Sequence, residues 1–280
     1  MAVASGRASK GRERTLRRIS SSDGVSVALH QLGGGPSSPP VLVSHATGFH
    51  ARCYQPVADR LAASHHVVGL DYRGHGATPA PSSWRDGPID WRGFGDDAIA
   101  VAEHVAPDGG LIGVGHSMGG AALLMAAHRS PGLFRHLVLF EPIASSPQPP
   151  DAPPLDMDQL PIVQGARRRR RRFDSFDDAY DNFRSKPPLS LMVPEALRNY
   201  VDHGFHEVTL DDGSTVVELS CAPQTEAGIF VGGRTNGVWD LLHEIRTPCT
   251  VIGGHVEQMQ PSSGTEAIAA ELRDGTYVLL

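Results

Sequence analysis

The stretch that decides the fold is GHSMG (115–119), which stands between an apolar run, LIGVGH (111–116), and a run of small and apolar residues, MGGAALLMAAH (118–128). Glycines two residues before and two residues after a serine allow a tight, strained turn between a strand and a helix. Such a turn lifts the serine hydroxyl above the sheet, and the following helix directs the positive end of its dipole toward it. The stretch therefore predicts a strand, a sharp turn that carries Ser117, and a helix.

A serine in such a turn predicts acyl chemistry, in which the hydroxyl attacks a carbonyl carbon. The oxyanion that forms requires preorganised hydrogen-bond donors. One donor is predicted at the amide of Met118, directly after the serine. The other is predicted at the amide of Thr47, in the loop HATGFH (45–50) that follows the apolar run PVLVSH (40–45). Ser117 is thus the candidate nucleophile, with Met118 and Thr47 as the candidate oxyanion hole.

Outward from this stretch, short apolar runs alternate with longer amphipathic ones, which is the pattern of a mainly parallel sheet flanked by helices. A chain of 280 residues can bury one large core. The proline-dense segment SSPQPPDAPP (145–154) interrupts the pattern, because proline continues neither a helix nor a central strand. We therefore predict an α/β core over 15–142 and 239–280, a helical lid inserted over 143–238, and a flexible tail over 1–14.

Four motifs in a fixed order resemble the α/β-hydrolase superfamily of lid-bearing bacterial serine esterases, lipases and C–C hydrolases. They are LVSHATGFH (42–50), LDYRGHGATP (70–79), GVGHSMGG (113–120) and LVLFEPI (137–143). The resemblance implies an α/β-hydrolase fold with an eight-stranded sheet, a helical lid after the sixth strand, and a catalytic serine, acid and histidine in that chain order. A serine rather than an aspartate at 117 argues against haloalkane dehalogenases and epoxide hydrolases.

The acid of such a triad is expected after a late strand, and TPCTVIGG (247–254) is that strand. Many relatives carry an aspartate close to this point, and Glu257 is the carboxylate nearest to it here. Glu257 is therefore the predicted acid. Glu141, at the end of LVLFEP (137–142), is the alternative, either as a catalytic acid or as a hydrogen-bonded anchor for the entry to the lid.

The base of the triad has no obvious candidate. The resemblance places it in a loop after TYVLL (276–280), where the sequence ends. Of the fourteen histidines, His255 alone lies beyond His243, so His255 is the alternative base. From this we expect a C-terminally truncated member of the family with impaired activity, and an exposed apolar face on its last strand.

Composition and charge limit the classes of substrate and partner that the protein is expected to bind. The 25 basic and 31 acidic residues give a net charge of −6, which favours a small-molecule acyl substrate over nucleic acid. The sequence shows no apolar span of about 20 residues and no close cysteine pairs. We therefore expect a cytoplasmic protein with no membrane anchor, no metal and no cofactor. The six-arginine run 167–172 is predicted to be the exposed, basic side of a lid helix.

The expected function is that of a serine hydrolase acting on a carboxylic ester or related acyl group. Two alternatives stay open from the sequence. One is a non-catalytic binding protein that keeps the pocket without the base, and the other is a C–C or thioester hydrolase. No feature of the sequence selects the acyl chain length or the oligomeric state.

Overall fold

The computed structural model describes residues 16–85, 87–147, 151, 155–255 and 261–280. The predicted tail, 1–14, lies outside the described residues. In chain order the strands of the described residues are β1 (Leu16–Ser20), β2 (Ser26–Gly33), β3 (Pro40–Ser44), β4 (His66–Asp71), β5 (Leu111–His116), β6 (Phe134–Phe140), β7 (Arg172–Phe173), β8 (Phe205–Thr209), β9 (Thr215–Leu219), β10 (Cys249–Gly253) and β11 (Gly275–Leu279).

The α-helices lie between these strands along the chain. They are α1 (Gln55–Leu61), α2 (Arg92–Val105), α3 (Met118–Arg129), α4 (Pro161–Arg167), α5 (Phe176–Arg184), α6 (Pro194–Gly204), α7 (Pro223–Gly232), α8 (Val238–Leu241) and α9 (Thr265–Glu271). Helix α3 is buried over its first ten residues, as its small and apolar sequence requires.

Within the described residues the central sheet has eight strands in the order β1-β2-β4-β3-β5-β6-β10-β11. The hairpin β1–β2 and the pair β2–β4 are antiparallel, and every following pair from β4 to β11 is parallel. The prediction of a mainly parallel sheet flanked by helices is confirmed. Because strands β3, β5, β6 and β10 run in the same direction, the loops that follow them meet at one edge.

A buried ion pair joins the loop after β4 to helix α2. Arg73 is 1% exposed and Asp97 is fully buried. The guanidinium donates from Nε to Oδ2 of Asp97 at 3.0 Å and from Nη2 to Oδ1 at 2.8 Å, and Nη1 reaches Asp23 at 2.8 Å. Arg73 therefore has a structural role.

The segment predicted as a lid contains α4 to α7 and a second, antiparallel sheet in the order β7-β9-β8. Its hairpin β8–β9 turns at Gly213, which adopts a φ of 83° that favours glycine. An apolar cluster of this segment includes Phe173, Phe183, Tyr200 and Phe205. These aromatic side chains pack mainly against one another.

The prediction for the arginine run is wrong in two respects. Helix α4 ends at Arg167, and Arg172 already belongs to strand β7, so the run does not lie along one helix. Arg169 is not on an exposed face, since its side chain is 17% exposed and is paired with Glu226. The physical reason is that the arginines form ion pairs with carboxylates on different elements, including Glu218 of β9.

Strand β11 lies at the edge of the sheet and pairs in parallel with β10. Val278, Leu279 and Leu280 are 37%, 53% and 66% exposed. The exposed apolar residues expected for the last strand are thus present. Within the described ranges, no helix combines the length and the apolar character needed to cross a lipid bilayer.

Candidate active site

Ser117 occupies a strained turn between strand β5 and helix α3. Its φ of 53° and ψ of −117° are rare for a residue with a side chain. The backbone on both sides is held by the segment after β6, because Ser117 N–H donates to Phe140 O at 3.0 Å and Ile143 N–H donates to Ser117 O at 3.3 Å. The strand, turn and helix predicted from GHSMG (115–119) are all present, and the serine lies at the carboxyl edge of the sheet.

Two glycines allow this turn because their neighbours leave no room for a side chain. A β-carbon at Gly119 would lie 2.3 Å from Ser44 O, and one at Gly115 would lie 2.7 Å from the α-carbon of Gly120. The Ser44 hydroxyl also donates to Gly119 O at 2.8 Å. Strand β3 and the start of α3 are thus in direct contact, which brings the loop after β3 next to Ser117.

That loop presents the backbone around Thr47 toward the same edge. Ala46 N–H donates to the Tyr54 hydroxyl at 3.0 Å, and Gly48 N–H donates to Nε2 of His75 at 3.1 Å. Among the residues that the structure describes, none accepts a hydrogen bond from Thr47 N–H. Met118, the first residue of α3, has an amide with no partner within its own helix. Both candidate donors are therefore free to bind an oxyanion.

Tyr54 connects the two loops that carry these amides. Its hydroxyl oxygen accepts from Ala46 N–H at 3.0 Å and is hydrogen-bonded to Nδ1 of His116, 2.9 Å away. Burial lowers the pKa of His116 to about 4, although the charge of Glu141 acts in the opposite direction. His116 is therefore a neutral partner that fixes Tyr54, rather than a base for the adjacent serine.

Glu141 directly follows β6 and adopts an uncommon φ of 45°. Its backbone N–H donates to Ile252 O of β10 at 2.9 Å, and its carboxylate accepts a short hydrogen bond from the Ser262 hydroxyl. Ser262 in turn accepts from Gly254 N–H at 3.0 Å. The alternative acid thus ties together the two ends of the segment 254–262. The predicted acid, Glu257, lies in this segment but outside the described residues.

The candidate base, His255, is exposed and follows Gly254 at the end of β10. Neither His255 nor any other histidine in the described part of the chain is hydrogen-bonded to the Ser117 hydroxyl. The turn, the free amides and Glu141 are thus brought together at one edge, whereas His255 is placed near that edge without a contact to the serine.

Two buried histidines, one at the start of the loop 45–50 and one beneath that loop, are held neutral. His75 accepts from Gly48 N–H through Nε2 and donates from Nδ1 to Arg73 O, while His45 accepts from Tyr72 N–H through Nε2 at 3.0 Å. Burial is the main cause that lowers the pKa of His75 to about 4 and that of His45 well below its usual range. Protonation of either imidazole would remove an acceptor that the loop needs.

The stability of the protein should consequently fall on acidification. Because the pKa of His75 is lower in the folded chain than the 6.5 of a free imidazole, the unfolded chain binds the proton first. Stability is thus full above about pH 6.5 and declines toward pH 4, with a contribution from His75 of about 3 kcal/mol. The measurement is the urea-unfolding free energy as a function of pH.

The His75→Gln variant supplies the comparison, because glutamine offers an acceptor that does not titrate. Its unfolding free energy should depend less steeply on pH than that of the parent chain. The exposed His104 provides the matched control, and His104→Gln should leave the slope unchanged. An unaltered slope in His75→Gln would contradict the assignment.

The sequence did not reveal three features of the site. They are the Tyr54 bridge, the His75 acceptor, and the Arg169–Glu226 ion pair, whose carboxylate lies against Gly48. Each depends on a contact between residues far apart in the chain. A weak signal for His75 existed in the motif LDYRGHGATP (70–79), whose density of polar residues and glycines at a strand end is typical of a structured loop.

Together, the mainly parallel sheet and the strained serine at its carboxyl edge define a hydrolase-type α/β protein. The sequence model of the alpha/beta hydrolase family matches residues 41–278. The chain belongs to this family. Its fold is the α/β-hydrolase fold that the sequence predicted.

Relatives of the chain include esterases and a lipase. It is 22% identical over 258 residues to a pimeloyl-[acyl-carrier protein] methyl ester esterase of Legionella pneumophila (strain Corby), a match covering 91% of this chain and 90% of the relative. It is 31% identical over 118 residues to lipase LipV of Mycobacterium tuberculosis (strain ATCC 25618 / H37Rv), which covers 41% and 42% of the two chains.

Solved structures share the fold at lower identity. The thioesterase domain from the curacin biosynthetic pathway superposes with a TM-score of 0.72 at 20% identity, covering 96% of this chain and 93% of that one. A thermophilic esterase from Thermogutta terrifontis gives a TM-score of 0.65 at 19% identity, covering 95% and 89%. The family thus includes esterase, lipase and thioesterase neighbours of this chain.

Proposed function

We propose that the protein is a serine hydrolase of small acyl substrates, with carboxylic esters as the substrate class. Ser117 is the nucleophile in this proposal, and the amides of Met118 and Thr47 form the oxyanion hole. The observation that carries it is the strained turn of Ser117, with a φ of 53°, beside two unpaired amides. Backbone strain of this kind persists where function requires it.

The chemistry follows from the geometry. The Ser117 hydroxyl attacks the carbonyl carbon of the ester and forms a covalent acyl group, while the carbonyl oxygen becomes an oxyanion between the two amides. Release of the alcohol and attack by water complete the hydrolysis. A base must accept the serine proton in the first step, and His255 is the candidate that the described residues offer.

The test is turnover by the purified 280-residue chain of p-nitrophenyl acetate and butyrate, with a matched S-acyl thioester in a parallel arm. Saturable release of p-nitrophenol above the protein-free blank supports the proposal. Faster turnover of the thioester would instead assign thioesters as the substrate class. Binding of the esters without turnover would favour the non-catalytic binding protein, and would overturn the proposed activity.

The acid is the second part of the proposal. We assign this role to Glu257, because the Glu141 carboxylate is already engaged by Ser262. Glu141 then serves to hold Gly254 and Ser262, the residues that flank the segment containing Glu257. In this arrangement Glu141 positions the acid rather than contacting the base.

Glutamine variants should separate the two carboxylates. Glu257→Gln is expected to lower ester turnover more than Glu141→Gln, but only modestly, because the acid of a triad acts through its base and no histidine of the described residues contacts the Ser117 hydroxyl. Glu141→Gln should lower turnover less, since an amide oxygen still accepts from Ser262. Both are measured as kcat on p-nitrophenyl butyrate. The reverse order of effects would transfer the role of acid to Glu141.

A further inference from the structure

A charged pair lies directly against the loop 45–50, called the oxyanion loop here because it carries the proposed oxyanion donor Thr47. Glu226 of α7 is 6% exposed, and a β-carbon added at Gly48 would lie 2.5 Å from its Oε1. Gly48 follows Thr47, whose amide is a proposed oxyanion donor. A carboxylate charge is thus held next to the place where a second negative charge develops during the proposed reaction.

Arg169 compensates this charge. Its Nη1 donates to Oε2 of Glu226 at 2.6 Å, and its Nη2 donates a short hydrogen bond to the hydroxyl of Tyr200. The guanidinium carbon also lies 5.6 Å from the ring centroid of Phe183. Within the described part of the chain, Oε1 of Glu226 has no hydrogen-bond partner. The neutralisation of Glu226 therefore depends on Arg169.

The other titratable groups around the pair carry no charge at about pH 8. Burial is the main cause that raises the pKa of the Tyr200 hydroxyl and of the Cys221 thiol. Burial also lowers the pKa of His50 and holds that of His75 at about 4. Arg169 and Glu226 are thus the two charges that face the oxyanion loop from this side.

We propose that Arg169 tunes the oxyanion hole by cancelling the charge of Glu226, an inference that rests on the proposed function of Ser117. Arg169 is a positioning residue in this role and does not contact the reacting atoms. One member of the six-arginine run thereby acquires a function that the exposed members do not share. A repulsive charge near the oxyanion at an effective dielectric constant of about 20 would slow the reaction roughly 10- to 100-fold.

The experiment compares Arg169→Met, Glu226→Gln and the double variant. The readout is the second-order rate constant for labelling of Ser117 by an alkyl fluorophosphonate, whose phosphoryl oxygen gains charge in the same hole. At about pH 8 we expect Arg169→Met to label roughly 10- to 100-fold more slowly. Glu226→Gln should keep the parent rate or exceed it, and the double variant should recover most of the loss.

The double variant separates this electrostatic role from simple packing, because a lost packing contact at Arg169 would not be restored by removing the charge of Glu226. Arg171→Met is the matched control, because Arg171 is half-exposed and pairs with Glu218 instead. It should label at the parent rate.

The outcomes distinguish a failure of the electrostatic role of Arg169 from a failure of the proposed function of Ser117. Equal losses in both single variants, or no recovery in the double variant, would overturn the electrostatic role while leaving Ser117 as the nucleophile. Absence of labelling in the parent chain and in every variant would overturn the proposed function, and this inference would fall with it.

Discussion

Replacing Ser117 with alanine is expected to abolish covalent labelling of the chain by an alkyl fluorophosphonate. The parent chain should gain one phosphonyl group per molecule on the tryptic peptide that contains Ser117, and Ser117→Ala should gain none. The reason is that the strained turn holds this hydroxyl beside the free amides of Thr47 and Met118. Intact-protein mass spectrometry and peptide mapping measure both results.

Ser130→Ala is the matched control, since Ser130 follows the other end of helix α3 and lies away from the sheet edge. It should label like the parent chain. His255→Ala addresses the candidate base in the same assay. Because His255 is exposed and has no hydrogen bond to the Ser117 hydroxyl, we expect its removal to leave the labelling rate essentially unchanged. A strong loss of rate in His255→Ala would establish His255 as the base.

Replacing Asp97 with alanine should destabilise the protein by about 3–5 kcal/mol. Asp97 is fully buried and accepts three hydrogen bonds from Arg73, one from its backbone N–H and two from its guanidinium. Arg73 is itself only 1% exposed. Among the described residues, removal of Asp97 leaves the buried guanidinium with Asp23 as its one charged partner, and the Asp23 side chain is 61% exposed. Urea unfolding of Asp97→Ala, followed by circular dichroism, measures the change.

The neighbouring Asp96 offers a matched control. It pairs with Arg129 at 2.6 Å, but the side chains of Asp96 and Arg129 are 24% and 45% exposed. Solvent screens such a pair, so Asp96→Ala should lower the unfolding free energy by less than about 1 kcal/mol. If the two variants were equally stable, the Arg73–Asp97 pair would not have the structural role assigned to it.

Much of the fold was predictable from local sequence patterns. The alternation of short apolar runs with amphipathic ones predicted the parallel sheet, and the pentapeptide GHSMG (115–119) predicted the turn of Ser117. These predictions succeeded because periodicity and glycine placement act over a few residues. The antiparallel hairpin β8–β9 turns at an Asp-Gly dipeptide, a local sequence that favours such turns.

The arginine run shows where such patterns fail. Six successive arginines predict one exposed face, yet Arg169 is buried against Glu226 whereas Arg171 is half-exposed and pairs with Glu218. The partners stand 57 and 47 positions further along the chain. Identical residues in a run carry no local signal that tells them apart, so only the packing of α7 and β9 assigns their partners.

The sequence by itself determined the fold class, the position of the candidate nucleophile and the pair of loops that supply the candidate oxyanion donors. These depend on backbone conformation, which nearby residues control. The tertiary structure alone decided that Tyr54 and His75 hold the amides on either side of Thr47, and that Arg169 cancels the charge of Glu226. Hydrogen bonds and charges between distant residues gain their strength from burial, and burial is fixed only when the whole chain is packed.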